Sequence, residues 1–376
     1  MIYWDHNAGA PLLPEIARHL VTAFAEAAGN PSSVHQAGRN ARRHLDQARE
    51  RVAKVLGCTP REVIFTGSGS EAAAIAVLGA FRARKDRSKS RVVTTAIEHP
   101  CVLGAVKQLE AEGAEVIRVA PAVDGAVTEQ ALLEALDAKT ALCSVQWVNN
   151  ETGVIQPAAR LARVCAERKI VFHSDAVQAF GRLPASLREV PADLLSLSAH
   201  KLGGPAGVGV LYNRRGVDLA GLTPGHQENG RRGGTQAVAM AEAMALAVEH
   251  AVATQESASA HVATLRDRFE QAVLAALPGV ERNGSAPRVG ATSNLWFPEV
   301  DGEALLIALD LEGICVSTGA ACASGSLSPS HVLLGQGRTA AQAHGSLRFS
   351  LGATTTQAEV DAVVSALTRL VPQNRG

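Results

Sequence analysis

An α/β fold, with a mostly parallel sheet, helices on both its faces and a smaller α+β domain attached, is what three observations predict for this chain. Between residues 36 and 213, short apolar runs alternate with amphipathic stretches, the pattern of repeated strand–helix–strand units. After residue 236 the texture changes to Ala-rich helical stretches followed by scattered short strands. Of the 376 residues, 47% are hydrophobic, which is core enough for two or three domains.

The elements follow in order. QAGRNARRHLDQARERVAKVLG, from residue 36, repeats its apolar positions at helical spacing. EVIFT is then a short strand, SEAAAIAVLGAFRAR a helix and RVVTTAIE a strand. The helix–strand alternation continues through CVLGAVKQLEAEG and EVIRVA, TEQALLEAL and TALCSVQWV, and AARLARVCAER and KIVFHSDA. LLSLSAHK and GVGVLYN close the run as two more strands. Two Ala-rich helical stretches are expected from about 237 to 277, with a break near Ser257 to Ser259. ATSNLWF, GICVS and SLRFSLG then read as strands, and GEALLIALDLEG and TTQAEVDAVVSALTRLV as helices. In sheets of this kind, ligands bind beyond the carboxyl ends of the strands.

Composition removes several classes of function. The 36 basic residues balance the 36 acidic ones, so no charge excess points to nucleic acid or a membrane surface. Aromatics at 3% leave little for stacking bases. The opening MIYWDHNAGAPLLPEI lacks a basic stretch followed by an apolar one, and the later apolar runs are broken by Glu or His. A soluble, cytoplasmic protein is expected. The six cysteines form no CxxC pair, so neither a disulfide framework nor a structural zinc site is expected. Cys143 and Cys315 lie inside strand patterns and read as core thiols.

Chemistry collects at strand ends. In SLSAHKLGGPAGVGVLY (196–212), an apolar strand ends in His200-Lys201, with Gly203-Gly204 after it. A lysine there is commonly a solvated surface residue, and the glycines could serve only a turn. A desolvated lysine, however, has a lowered pKa and can form a Schiff base. In IVFHSDAVQAFG (170–181), Asp175 follows another apolar strand, as a helix N-cap would. Its spacing to Lys201 also fits one strand–helix–strand crossover, which puts both side chains at the same sheet edge. A carboxylate and a Schiff-base lysine together suit pyridoxal phosphate, because the acid keeps the pyridine nitrogen protonated and the ring an electron sink. EVIFTGSGSEAAA (62–74) runs a strand through Gly67-Ser68-Gly69-Ser70 into a helix, a place for a phosphate, although a plain Gly/Ser turn reads the same. It is neither a Walker A nor a GxGxxG sequence. Cys322 sits in STGAACASGSLSPSHVL (317–333), where small and polar residues replace the apolar surroundings a thiol usually has.

These motifs, with GNPSSVHQAGR (29–39), AIEHPCVL (96–103), VNNETGVIQP (148–157), GRRGGT (230–235) and SLRFSLG (346–352), resemble in the same order those of the cysteine desulfurases. That family lies in the class V aminotransferase group of fold-type I pyridoxal phosphate enzymes, and the likeness spans residues 3–352. It implies a large cofactor domain over 14–252. It implies a small domain over 1–13 and 253–376, carrying the Cys322 loop (about 317–333) and a substrate-binding arginine. It implies that Lys201 bonds the cofactor, Asp175 pairs with the pyridine nitrogen, Gln178 contacts the ring hydroxyl oxygen and His99 stacks on the ring and relays a proton. Gly69, Ser70, Ser198 and His200 would hold the phosphate. Thr235 would reach the phosphate bound by a partner subunit, which makes a homodimer. Asn150 and Arg348 would bind substrate, the arginine as a bidentate carboxylate anchor. The implied reaction converts L-cysteine to L-alanine and leaves sulfur on Cys322 as a persulfide. The sulfur would pass to an acceptor protein, such as an iron–sulfur scaffold or a tRNA-thiolation protein, with no direct nucleic-acid binding, no membrane and no metal. A selenocysteine lyase or a class V aminotransferase is the alternative. Cys322 speaks against an aminotransferase, and the long loop favours cysteine over selenocysteine. The chain departs from the family pattern at Gly9, at Ser70 and the alanines after Glu71, and at Asn229, positions that bear on substrate and acceptor choice.

Cys322→Ala is expected to keep the yellow colour of the cofactor and to lose alanine release from L-cysteine. A variant releasing alanine at the wild-type rate would remove Cys322 from that role.

Overall fold

The computed structural model describes residues 1–26, 29–184, 186–318 and 328–375. The chain opens with β1 (Ile2–Tyr3) and α1 (Pro14–Glu26), followed by α2 (Gln36–Leu56). His35 caps α2 by accepting from the Gly38 amide, and Gly57 ends it in the left-handed conformation, φ 75°. The central sheet is built from β2 (Val63–Thr66), β3 (Arg91–Thr95), β4 (Glu115–Val119), β5 (Thr140–Ser144), β6 (Val171–Asp175), β7 (Leu194–Ser198) and β8 (Gly209–Asn213). Its seven strands lie in the order β2-β8-β7-β6-β5-β3-β4. Strands β7, β6, β5, β3 and β4 pair in parallel, while β8 runs antiparallel to both β7 and β2. The reversal at β8 follows from its short link to β7, which has no room for a crossover helix. Strand β2 therefore points the same way as β7, and their carboxyl ends share one edge.

Helices α3 (Gly69–Ala74) and α4 (Ala80–Ala83) are joined through a π-helical turn, Ile75–Gly79. With α5 (Pro100–Ala111), α6 (Glu129–Ala135) and α7 (Ala158–Glu167), they fill the crossovers between parallel strands. Beyond the central sheet come α8 (Val238–Ala276), β9 (Glu281–Arg282), β10 (Thr292–Trp296), α9 (Gly302–Leu311), β11 (Ile314–Cys315), β12 (Ser317–Thr318), α10 (His331–Gly335), α11 (Ala340–His344), β13 (Ser346–Ser350) and α12 (Gln357–Gln373). Strands β12-β13-β10-β9 form a second, antiparallel sheet, and β11 pairs in parallel with β1.

Two expectations change, and one helix is added. The long helix α8 is unbroken where a break was expected at Ser257 to Ser259. Its serines find acceptors without interrupting it: Ser257 Oγ donates to the Thr254 carbonyl at 3.1 Å, and Ser259 Oγ to the Arg182 carbonyl at 2.9 Å. GICVS is two strands rather than one, because Ile314–Cys315 pairs with β1 while Ser317–Thr318 pairs with β13. Helix α1 lies ahead of the alternating run; its Val21 and Phe24 are exposed, which blurs the apolar periodicity that reveals a helix.

The apolar interior forms separate clusters. Those against the central sheet include Met244, Ala247 and Val248 from the first half of α8. The second cluster takes Val262, Leu265, Phe269 and Val273 from its second half. There the buried ring of Phe349 lies 4.9 Å from Phe269 and 6.5 Å from both Trp4 and Phe297, centroid to centroid. Phe349→Ala is expected to cost about 3–5 kcal/mol, read as a lower denaturant midpoint, because the rings cannot collapse into the gap.

Candidate active site

The sheet delivers its functional side chains to one edge. Strand β7 ends at Ser198 and enters a short turn, Ala199–Lys201, which sets Ser198, His200 and Lys201 side by side. Its neighbour β6 ends at Asp175, in register with Ser196. Strand β2 ends at Thr66, and the chain turns directly into α3 with Gly69 and Ser70 in the first turn. Beyond β3, His99 is the N-cap of α5. Gln178 and Asn150 follow β6 and β5. Lys201 and the eight of these residues expected around it line a single cavity of about 220 Å³.

Close packing holds the turn at residues 67–70. A Cβ on Gly69 would lie 2.9 Å from Ser198 Cβ, and one on Gly209 would lie 2.5 Å from the carbonyl carbon of Ser68. Only glycine lets the turn lie this close to the ends of β7 and β8. Ser68 Oγ accepts from the Glu71 amide at 3.0 Å; the Glu71 carboxylate accepts from the Gly67 amide and from Arg232 Nε. The first-turn amides of α3 have no helical carbonyl to reach.

Lys201 Nζ donates to the carbonyls of Asn7 at 2.5 Å and Ala8 at 2.6 Å. The Asn7 carbonyl also accepts from Gln178 Nε2 at 3.0 Å, while Gln178 Oε1 is buried with no hydrogen-bond partner among the described residues. Burial pushes the Asp175 carboxyl up to about 6, opposed by the Val177 amide and by the charge of Lys201. Burial, then the charge of Lys201, hold His99 and His200 down at about 4, so both rings are neutral. Ser198 Oγ lies 2.8 Å from His200 Nδ1.

Arg348 lies beside this group rather than in its wall. It is buried on β13, with Nη2 2.7 Å from Asp5 Oδ1, Nη1 donating to the Asn150 carbonyl at 3.2 Å, and Nε without a partner among the described residues. Thr235 is exposed and does not line the cavity. Cys322 lies outside the described residues. Asn229 lines a different, polar cavity, next to Glu228, which is buried against Arg49 in a two-pronged ion pair at 2.7 Å. Gly9 leaves open space, since a Cβ there would come no nearer than 4.0 Å to His200.

Several neighbours escaped the sequence reading. Asn7 and Ala8 act through backbone carbonyls, which any residue type supplies. Cys101 lines the cavity, a part the sequence reading did not assign it. Glu98 and Glu151 are fully buried acids next to site residues. Glu98 accepts from Thr95 Oγ1 and the Gln146 amide, and Glu151 from Ser330 Oγ.

The chain belongs to the class-V aminotransferases, whose sequence profile matches residues 2–363. Its relatives narrow the comparison. The IscS-like cysteine desulfurase of Mycobacterium tuberculosis is 44% identical over 383 residues, covering all of this chain and 97% of that one. A solved structure described as a NifS-like protein superposes with a TM-score of 0.91 at 33% identity, over 99% of both chains. A structure of SspA in complex with cysteine superposes with a TM-score of 0.82 at 31% identity, over 95% of this chain and all of the other. Among the described residues, no helix is long and apolar enough to cross a membrane.

The buried acids set a pH dependence. Burial raises Glu98 to about 8 and Glu151 to about 7 from the ordinary 4.5. Between 4.5 and those values the folded state holds more protons than the unfolded one, so stability falls as pH rises. His6, His99, His173 and His200 are depressed from 6.5, to between about 3 and about 4, and act in the opposite sense, an effect that fades as pH rises past 6.5. From pH 7 to 8 the two glutamates therefore dominate. The thermal midpoint of the ligand-free chain is expected to fall over that range, and less steeply in Glu98→Gln. A rising midpoint would contradict it.

Proposed function

We propose that this protein is a pyridoxal phosphate-dependent cysteine desulfurase, which moves the sulfur of L-cysteine to Cys322 and releases L-alanine. The carrying observation is the convergence of Lys201, Asp175 and His99 on one cavity at the sheet's carboxyl edge. Relatives named for cysteine desulfurase activity, and a similar structure holding cysteine, support it.

The donor set fits the cofactor. Gln178, which lines the cavity, has its buried Oε1 still without a donor among the described residues. The glycine-packed turn at 67–70 offers amides and the Ser70 hydroxyl to a phosphate, with Ser198 and His200 across from it. Asp175, raised by burial, ionises readily only opposite a cation, as a protonated pyridine nitrogen would be. Bound there, pyridoxal phosphate supplies an electron sink that weakens the Cα–H bond of an amino acid.

The chain's own groups do the rest. Lys201, once its proton has left, is an amine held next to the cavity by the Asn7 and Ala8 carbonyls, placed to take the Cα proton. Arg348 and Asn150 anchor the substrate carboxylate, with the substrate taking over the guanidinium face that Asp5 now holds. The Cys322 thiolate attacks the substrate sulfur. One C–S bond breaks, one S–S bond forms, and the freed carbon takes a proton to become the methyl group of alanine. The substrate sulfur is oxidised and its carbon reduced, so no outside oxidant is needed.

The domain division over 14–252 and over 1–13 with 253–376 is supported by the separate apolar clusters. Exposed Thr235 is free to serve the site of a second copy in a homodimer. The described cysteines are all unpaired, which suits a reducing, cytoplasmic setting and delivery of sulfur to an iron–sulfur scaffold or a thiolation protein.

The test supplies purified protein with L-cysteine and measures alanine and sulfide. Wild type is expected to release alanine, and Lys201→Ala to lose the yellow colour and at least ~100-fold in rate, the lower range for general-base loss. Wild type that releases none would end the desulfurase reading.

A further inference from the structure

We propose that Cys101 is a positioning residue that fixes His99 in the tautomer with its proton on Nε2, so that the ring meets an occupant of the Lys201 cavity as a hydrogen-bond donor. The inference rests on the reading of this cavity as the active site.

Both residues line the cavity. His99 Nδ1 lies 3.2 Å from the backbone nitrogen of Cys101 and 2.9 Å from its Sγ. An amide N–H can only donate, so Nδ1 accepts and carries no proton. A neutral imidazole then bears its proton on Nε2. The backbone begins this and the thiol completes it: of the two contacts to Nδ1 the amide's is the longer, so without the thiol the tautomer is held less firmly. His99 is the N-cap of α5 and Pro100, which has no N–H, is its first residue, so the Cys101 amide is the first that can reach back to the cap. With Nδ1 already an acceptor, the thiol S–H donates to the same atom, a three-centre arrangement.

The opposite charge state does not fit. A thiolate–imidazolium pair, the arrangement that activates nucleophilic cysteines, would put a second N–H on Nδ1, facing the Cys101 amide. Burial also pushes the Cys101 thiol well up, with Asp175 and Glu98 adding to the rise and Ser70 opposing it. His99 faces Lys201 and His200 from the end of β7 and His331 from α10, all of which disfavour a charged ring. Cys101 is thus a protonated donor and no competitor of Cys322 for sulfur. The other tautomer would aim a lone pair at the cavity and compete with Lys201 for the same proton. The Nε2–H form instead steadies negative charge arising beside it.

The full-length chain, labelled with ¹⁵N-histidine, reports the tautomer in long-range nitrogen–proton correlation spectra, with and without pyridoxal phosphate, His99 being assigned by its loss in His99→Gln. Wild type and Cys101→Ser are expected to show a protonated Nε2. Cys101→Ala should shift toward a mixture of tautomers, and its kcat for alanine release should fall about two- to tenfold, the weight of one neutral hydrogen bond, with Cys101→Ser restoring it. A proton on Nδ1 in the wild type, or an unchanged tautomer in Cys101→Ala, overturns the proposal. The spectra need no turnover, so wild type showing Nε2–H but releasing no alanine counts against the desulfurase reading and for the tautomer.

Discussion

The carbonyl of Asn7 takes the Lys201 ammonium on one side and the Gln178 amide on the other, and much of the site depends on that one acceptor. The same residue reaches both halves of the molecule. Its amide donates to Ser350 Oγ at 2.9 Å, and its side chain to Thr292 Oγ1 and the Asn150 carbonyl, each at 3.0 Å. The lysine at the end of β7 is thus registered against the second sheet through the opening segment of the chain. Arg348 repeats the connection, bound to Asp5 near the start and to the Asn150 carbonyl beside the cavity. The two connections hold a lysine of the central sheet and an arginine of the second sheet in one frame.

Burial sets the charges around that lysine. His99, His173 and His200 are held neutral, while Asp175, Glu98 and Glu151 are all raised. Paired with hydroxyls and amides instead of counter-ions, the two glutamates serve as hydrogen-bonding posts: Glu98 receives the Gln146 amide and Glu151 the Ser330 hydroxyl. Asp175 has Lys201 as a charged neighbour, as Glu151 has Arg348, and because Asp175 lines the cavity its ionisation answers to whatever cation shares it.

What the sequence makes legible is local. Lys201, Asp175 and the Gly67–Ser70 turn stand at strand ends, where an apolar run stops and a polar residue or glycine begins, and the sheet carries them to one edge. Cys322 stands out in the sequence by the small residues around it and lies outside the described residues. Features that depend on distant partners are hidden. Asn7 acts through a carbonyl that its residue type does not announce, and the Asp5–Arg348 pair joins residues 343 apart in sequence. Cys101 carries no sign of a part of its own in the sequence, because its contact depends on how the His99 ring is turned. The error at Ser257 and Ser259 has the same root: serine weakens a helix when it competes with the backbone, yet the acceptor of Ser259 is a carbonyl from far earlier in the chain.

The contact between Asn7 and Ser350 also bears on how the protein is made. The partners are 343 residues apart, so at ordinary synthesis rates of ~5–20 residues per second the first waits roughly 20 to 70 s for the second to emerge. The central sheet can pair during that time, since its strands lie between residues 63 and 213. The acceptor for the lysine cannot be anchored until strand β13 arrives. Nascent chains would therefore carry a folded sheet with an unfinished cavity, and ligand capture becomes one of the last events in the molecule's biogenesis.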